Sequence, residues 1–356
     1  MSAALESAFA GRRVLVTGHT GFKGSWLSLW LSELGAEVTG FALAPEYPRS
    51  HFELLGLAGR IRHIEGDLRD AGAVNAAFAA SRPEYVFHLA AQALVRRSYD
   101  NPKRTFDTNV AGSVNLLEAV RASEDVQTLI YVTSDKCYLN KEWTWGYREN
   151  DELGGHDPYS ASKAAAEMVF MAYDHAFFQA NAKLGYAAVR AGNVIGGGDW
   201  AEDRIIPDCV RALEAGRPIQ VRNPDATRPW QHVLDPLHGY LCLAAALQTA
   251  PATYRGAWNL GPELNTSRTV LQLAEKAVEL WGSGAVEVNR PEKAPFEHRL
   301  LQLNIDKAKL ELGWRPRWLS DRAIAESIAW YRRVLSGETA WEVSRAQIAA
   351  FSGETS

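Results

Sequence analysis

Tyr159 and Lys163 stand four positions apart in Tyr159-Ser160-Ala161-Ser162-Lys163, so one helical turn puts a phenol and an ammonium on the same face. A phenol with its ordinary pKa near 10 is a poor base at neutral pH, and a cation a few ångströms away lowers that value by favouring the phenolate. Such a phenolate can take the proton of an alcohol while the carbon's hydride leaves for a nicotinamide. Taken alone, the pair reads more readily as an incidental feature of a surface helix. The start of the chain changes that reading. Val14-Leu15-Val16-Thr17 has the composition of a buried strand and runs into Gly18-His19-Thr20-Gly21-Phe22-Lys23-Gly24, then into a helical pattern through Trp26, Leu27, Leu29, Trp30, Leu31 and Leu34. Gly18 permits the sharp turn, Gly21 lets the backbone approach a phosphate, and Gly24 lets the helix pack tightly on the strand. A pyrophosphate there meets free N–H groups at the positive end of a helix, so the triplet is read as a dinucleotide site rather than a plain tight turn.

A second polar group stands at Thr133-Ser134-Asp135-Lys136-Cys137-Tyr138, directly after the apolar run Thr128 to Val132. Carboxyl ends of strands are where open α/β sheets keep their sites. Ser134 can hydrogen-bond the same hydroxyl as Tyr159, and Asp135 is a candidate general acid if burial raises its pKa. The alternative is that both merely cap the next turn. His88, inside an apolar strand, is read as a satisfied core residue and left out of the chemistry.

Positioning these groups requires a scaffold, and the hydrophobic periodicity supplies one. Strands are expected at 14–17, 37–43, 61–70, 85–90, 128–132 and 185–190, with helices around 74–78, 102–122 and 159–178 between them. Strict strand-helix alternation implies an α/β fold, a doubly wound parallel sheet of Rossmann type with right-handed crossovers. The regularity breaks at Gly192, which suggests a dinucleotide-binding domain over 1–190 with a returning segment near 230–250. Residues 191–229 and 251–356 would then form a smaller substrate-binding lobe, with the substrate in the cleft between.

Composition narrows the classes further. A chain of 356 residues, 47% hydrophobic, can bury a large core, and a net charge of −4 with interspersed signs gives no footprint for nucleic acid or a membrane surface. Three widely spaced cysteines, Cys137, Cys209 and Cys242, are too few for a disulfide framework or a metal cluster, so no metal is expected. No signal-peptide core and no apolar run of membrane-spanning length is evident, which makes the cytoplasm the expected location.

The segments Gly18 to Gly24, Asp67, His88-Leu89-Ala90-Ala91-Gln92, Tyr159 with Lys163, and Arg190-Ala191-Gly192-Asn193 together resemble the extended short-chain dehydrogenase/reductase family, over nearly the whole chain to about residue 335. Within that family, Ser134-Asp135-Lys136, the Trp-rich helix from Gly24 to Leu31 and the run Asn193-Val194-Ile195-Gly196-Gly197-Gly198-Asp199-Trp200 are similar to sugar-nucleotide 4,6-dehydratases acting on a CDP-linked glucose. The resemblance implies NAD, held by Gly18, His19, Thr20, Gly21, Phe22, Lys23, Gly24, Asp67, Leu68, Leu89, Ala90, Ala91, Gln92, Tyr159 and Lys163. It implies CDP-glucose as substrate, held by Asn193, Arg204, Arg228 and Arg299. By resemblance Tyr159 deprotonates the C4 hydroxyl with help from Lys163 and Ser134, hydride leaves C4, Asp135 protonates the departing C6 hydroxyl, and hydride returns to C6. Such a product normally feeds deoxysugar synthesis for surface polysaccharide. A homodimer through helices 102–122 and 159–178 is also implied, with pairing of dimers left open.

Two departures from the pattern matter. Where the dTDP-glucose enzymes carry a glutamate as the C5 base, this chain has Lys136, which either works as a neutral amine or stays cationic and stabilises the enolate. Where NAD-specific members place an acid at the end of strand two, this chain has Leu43-Ala44-Pro45, with Glu46 close by and Arg49 several residues on. NAD rather than NADP follows only from the need for an oxidised cofactor. Asp67 is better placed, at the end of strand three, to meet the adenine amino group, or else it caps a helix. Three rival readings remain: a dehydratase for another nucleotide sugar, a 4-epimerase, which needs no Asp135, and a dinucleotide-sensing protein without catalysis, expected to lack Tyr159 or Lys163.

Overall fold

The computed structural model describes residues 3–263, 268–289 and 300–353. Its centre is a parallel sheet whose first six strands are β1 (Arg13–Thr17), β2 (Glu37–Ala42), β3 (Arg62–Glu65), β4 (Tyr85–His88), β5 (Thr128–Val132) and β6 (Gly185–Arg190). A seventh strand, Gly256–Asn259, completes an order of β3-β2-β1-β4-β5-β6-seventh in which every neighbouring pair is parallel. This is the doubly wound α/β class expected.

The strands are apolar on both faces because both faces are covered. Successive side chains of β1 feed two separate cores: Val14 and Val16 join the cluster of Trp26, Trp30 and Leu237, while Leu15 joins Val86, Leu116, Leu129 and Phe170. Reversal of strand order between β1 and β4 opens a crevice at the carboxyl ends, where Gly18, His88 and, one strand further, Ser134 emerge.

Several boundaries differ from expectation, each for a local reason. Strand three is only four residues long, because Gly66 already donates to Ala42 and Asp70 turns the chain, its carboxylate capping helix Ala71–Ser81 at Gly72 N. The segment 102–122 is not one regular helix. Asn101 caps Pro102–Phe106, a wide π turn occupies Asp107–Ala111, and the regular helix resumes over Gly112–Ala122. The helix carrying Tyr159 and Lys163 runs Pro158–Tyr173, capped by Asp157, which accepts from Ser160 N at 2.9 Å, and then widens into a second π turn over Asp174–Phe178.

The chain also returns to the sheet beyond residue 250. Strand Gly256–Asn259 pairs with β6, and the terminal helix Ala340–Gly353 packs against Phe22–Glu33 and His51–Leu55. The reason is the helix Phe22–Glu33 itself, buried continuously from Gly24 to Leu31, so its second apolar side needs a cover that only late sequence supplies. Trp30 meets Phe351 at a ring-centroid distance of 5.7 Å.

Candidate active site

The turn after β1 is shaped by steric necessity. Gly18 has φ +77°, and a Cβ there would stand 2.7 Å from Ala90 N; at Gly24 it would stand 2.2 Å from the Gly18 carbonyl oxygen. At Gly21, by contrast, an added Cβ would meet only that same oxygen, at 3.3 Å. Gly21 is exposed, and no side chain caps the helix that it opens. Uncapped N–H groups at a helix start facing open space are what a pyrophosphate requires, so the residues present fit a dinucleotide.

The other residues expected at the cofactor divide into two groups. Leu89 and Ala90 lie directly against the turn, with Leu89 N donating to Thr17 O and Ala90 N to the Thr17 hydroxyl. Ala91 is half-buried beside them. Thr20 closes the mouth of β2 by donating to Leu43 O at 2.9 Å, and Phe22 faces Gly196 across the crevice. Three side chains are committed elsewhere. His19 turns into the core: its Nε2 lies 2.7 Å from His63 Nδ1, and the missing Cβ of Gly40 makes room for the ring. Leu68 packs against Gly112. Gln92 is engaged by its own loop, accepting from Leu94 N at 2.6 Å and donating to Thr105 Oγ1 at 3.0 Å. The Gln92 backbone is committed as well, its N–H donating to Asn109 at 2.8 Å and its carbonyl accepting from the Asn109 amide at 3.1 Å.

Asp67 is no helix cap; that position belongs to Asp70. Its carboxylate is held by Arg69, through the backbone N–H at 2.9 Å and the guanidinium, and that bond keeps its pKa below the usual carboxylate range. Glu46 pairs with Arg97 instead of pointing toward the end of β2, where Leu43 is exposed.

The reactive end gathers on β5 and the helix Pro158–Tyr173. Ser134 caps the short turn Asp135–Cys137 by accepting from Lys136 N at 3.2 Å, donates to Asp135 Oδ1 at 2.9 Å, and acts on the Tyr159 phenol, whose pKa it lowers. The capping reading holds for Ser134, and the same hydroxyl also acts on the Tyr159 phenol. Asp135 is buried in a space that exists because Gly192 has no side chain; a Cβ there would stand 1.8 Å from Asp135 Oδ2. One pocket is lined by Asp135, Lys136, Ser160, Asn193 and Arg228. Asn193 takes a left-handed backbone at φ +52°, which asparagine tolerates better than most residues. Arg204 is tied to Asp199 Oδ2 at 3.1 Å, and its charge acts on both Tyr159 and Lys23. Arg299 lies outside the described residues.

The electrostatics correct one expectation. Burial pushes the Tyr159 phenol up to about 12, and the influences pulling it down are the Ser134 hydrogen bond and Arg204 rather than Lys163. Lys163 is itself buried, which lowers its ammonium to about 8, with Cys137 and Glu167 opposing. Desolvation is the largest influence on both Tyr159 and Lys163. Lys23, half-buried beside Arg204 and Lys163, is likewise lowered to about 8, with desolvation the first cause.

Three supporting residues escaped the sequence reading. Glu167 continues the Tyr159, Lys163 face by another four positions and holds Arg190 through two bonds of 2.9 Å, both side chains almost fully buried. Its spacing was the available signal. Asn109, in the wide turn, accepts from Gln92 N at 2.8 Å and donates to Ser162 at 2.9 Å, tying the cofactor loop to the catalytic helix. Asp199 orients Arg204. Nothing local in sequence marks Asn109, whereas Asp199 stands inside the run Asn193 to Trp200. His88 is a core residue as read, with Nδ1 on the Thr17 hydroxyl at 2.8 Å.

A seven-stranded parallel sheet, a glycine turn after its first strand and a Tyr-x-x-x-Lys pair at its carboxyl edge define an extended short-chain dehydrogenase/reductase. The chain belongs to the family described as GDP-mannose 4,6 dehydratase, whose profile matches residues 15–327. It is 47% identical over 355 residues to the CDP-glucose 4,6-dehydratase of Salmonella typhimurium (strain LT2), covering 98% of this chain and 99% of that one. A dTDP-glucose 4,6-dehydratase of Xanthomonas campestris pv. campestris is 28% identical, over 89% of this chain and 92% of its own. Among solved structures, the UDP-glucose 4-epimerase of Thermus thermophilus in complex with NAD superposes with a TM-score of 0.76 at 26% identity, covering 90% of this chain and 99% of that one.

Proposed function

We propose that this protein is a nucleotide-sugar 4,6-dehydratase that removes water from CDP-glucose to give CDP-4-dehydro-6-deoxyglucose. The observation that carries the reading is that Asp135 and Lys136 line one pocket with Asn193 and Arg228, while the Ser134 hydroxyl donates to Asp135 Oδ1 at 2.9 Å. The similarity to the Salmonella enzyme supports cytosine as the base.

NAD would be held at the turn Gly18–Gly24 and along Leu89–Gln92, and there it would supply a reversible hydride store between C4 and C6. The protein's own groups do the proton work. Tyr159 receives the C4 hydroxyl proton; its phenol is protonated at rest, so Arg204, and Ser134 once its hydroxyl turns from Asp135, must favour the phenolate when the hydroxyl arrives. The 4-ketone acidifies the C5 proton, which Lys136 removes as an amine and, as the ammonium so formed, returns to C5 once C6 has been reduced. Asp135 protonates the C6 hydroxyl so that it departs as water. Arg228 and Arg204 hold the pyrophosphate oxygens, where a planar guanidinium can engage two at once. Asn193 orients the sugar. A 4-epimerase would have no use for a buried acid at position 135.

The exposed Met168, Met171, Phe177 and Phe106 support a homodimer built on the segments 102–122 and 159–178. Free cysteines, and no described helix long and apolar enough to cross a membrane, accord with a cytoplasmic enzyme.

The test is mass spectrometry of CDP-glucose incubated with the purified protein, with and without NAD, beside UDP-, GDP- and dTDP-glucose. Loss of one water from the CDP sugar alone is expected. An unchanged mass with inversion at C4 would make the protein an epimerase, and dehydration of another sugar would move the base specificity.

A further inference from the structure

His51 lies outside every motif, yet it is fully buried where three distant parts of the chain meet. Its ring stacks on Trp26 at 4.5 Å. Nδ1 lies 2.9 Å from Ser25 Oγ and Nε2 lies 3.0 Å from Ser344 Oγ. The flanking bonds fix the direction of each hydrogen. The Ser25 hydroxyl donates to Phe22 O at 2.9 Å, so its oxygen accepts from His51 Nδ1–H. Trp330 Nε1–H can only donate, and does so to Ser344 Oγ at 2.9 Å, leaving the Ser344 hydroxyl to donate to His51 Nε2. One neutral tautomer therefore satisfies a directed chain from Trp330 through Ser344, His51 and Ser25 to the carbonyl of Phe22, inside the glycine turn. Burial lowers the imidazole to about 3, which keeps it neutral throughout the physiological range.

The same residues grip the second half of the site. His51 N–H donates to Gly198 O at 3.2 Å and Trp26 Nε1 donates to Gly197 O at 2.9 Å. A Cβ on Gly197 would stand 2.0 Å from the Trp330 ring, and one on Gly198, at φ +80°, 2.6 Å from His51. Beyond them the Tyr331 hydroxyl holds Asp199 O, and Asp199 holds Arg204 beside Tyr159. Trp330, Tyr331 and Ser344 all lie past residue 327, where the family match ends.

We propose that His51 is a positioning residue, locking the glycine turn and the Gly196–Arg204 arm into one register under the clamp of the two C-terminal helices. The inference rests on the functional reading above, in which the turn holds NAD and Arg204 faces the sugar nucleotide. It makes cofactor and substrate affinity depend together on a side chain that touches neither.

Titration calorimetry of the full-length protein with NAD and, separately, with CDP-glucose tests this. His51→Leu, which keeps bulk and removes both ring hydrogen bonds, is expected to weaken each ligand by about tenfold in protein that still unfolds cooperatively. His51→Asn, which retains a donor toward Ser25, is expected to restore NAD to within about twofold while CDP-glucose stays weak. Folded His51→Leu with unaltered affinities overturns the proposal. Should that variant not fold, Ser344→Ala decides: a loss of about threefold in both affinities supports the lock, and unchanged affinities overturn it. Failure of the functional reading shows differently, as binding of neither ligand by the unaltered protein.

Discussion

Tyr159 is asked to be a base in a place where burial keeps it an acid, and the residues around it set how that conflict resolves. Its phenol is pushed up to about 12, so the groups that oppose the shift, Ser134 and Arg204, have leverage on the rate. Tyr159→Phe is expected to lower kcat by about 100- to 10,000-fold with little change in CDP-glucose affinity, measured by turnover beside calorimetry. Lys163 and Lys23 carry depressed pKa values of about 8, so each is charged below that pH and neutral above it. If the site needs these cations, kcat/KM falls as pH rises through about 8, and Lys23→Gln makes the fall shallower. A profile flat across that range would show that neither charge contributes.

At the scale of elements, the catalytic helix is fastened from beneath and the nucleotide helix from its start. Glu167 and Arg190 join the helix Pro158–Tyr173 to β6, with the Arg190 guanidinium also on Tyr138 and on Glu149 O. Removing one partner leaves the other charge buried and uncompensated. Glu167→Ala is expected to destabilise the protein by about 3–5 kcal/mol in urea unfolding, because the pair is almost fully shielded from water. The glycines of the turn separate stability from binding. Gly24→Ala drives a Cβ to 2.2 Å from the Gly18 carbonyl and should lower the unfolding midpoint, whereas Gly21→Ala, with nothing nearer than 3.3 Å and an extended backbone, should leave the midpoint and weaken NAD. Equal loss of stability in both would contradict the assignment of Gly21 to the phosphate.

The whole molecule carries an unusual load of buried neutral imidazoles. His19, His51, His88, His232 and His238 are each lowered from 6.5 to about 3, with burial the first cause in every case. A folded pKa below the unfolded one means that the unfolded chain binds the extra proton between those values. The stabilisation is complete above pH 6.5 and is lost as pH falls toward 3, by at most about 1.4 kcal/mol per group per pH unit. The thermal midpoint is therefore expected to drop steeply from about pH 7 to about pH 5, and a midpoint flat across that interval would mean that these rings find proton acceptors in the folded state.

Much of the site could be read along the chain because its chemistry is local. A turn of seven residues needs its glycines at fixed offsets, and a Tyr-x-x-x-Lys pair needs one helical turn, so spacing alone identifies both. The parallel, doubly wound class followed from alternation, but the strand Gly256–Asn259, expected in the substrate lobe, joins the sheet only by meeting β6. What tertiary structure decided is everything that depends on meeting a distant partner. That Gly192 exists to admit Asp135, that Asn109 ties the cofactor loop to Ser162, and that His19 and Gln92 commit their side chains to the scaffold are visible only once the strand ends converge. The sign of the Tyr159 shift belongs here too. Sequence reports the neighbouring cation, but desolvation depends on how many elements close over the phenol, and that is a property of the packed molecule.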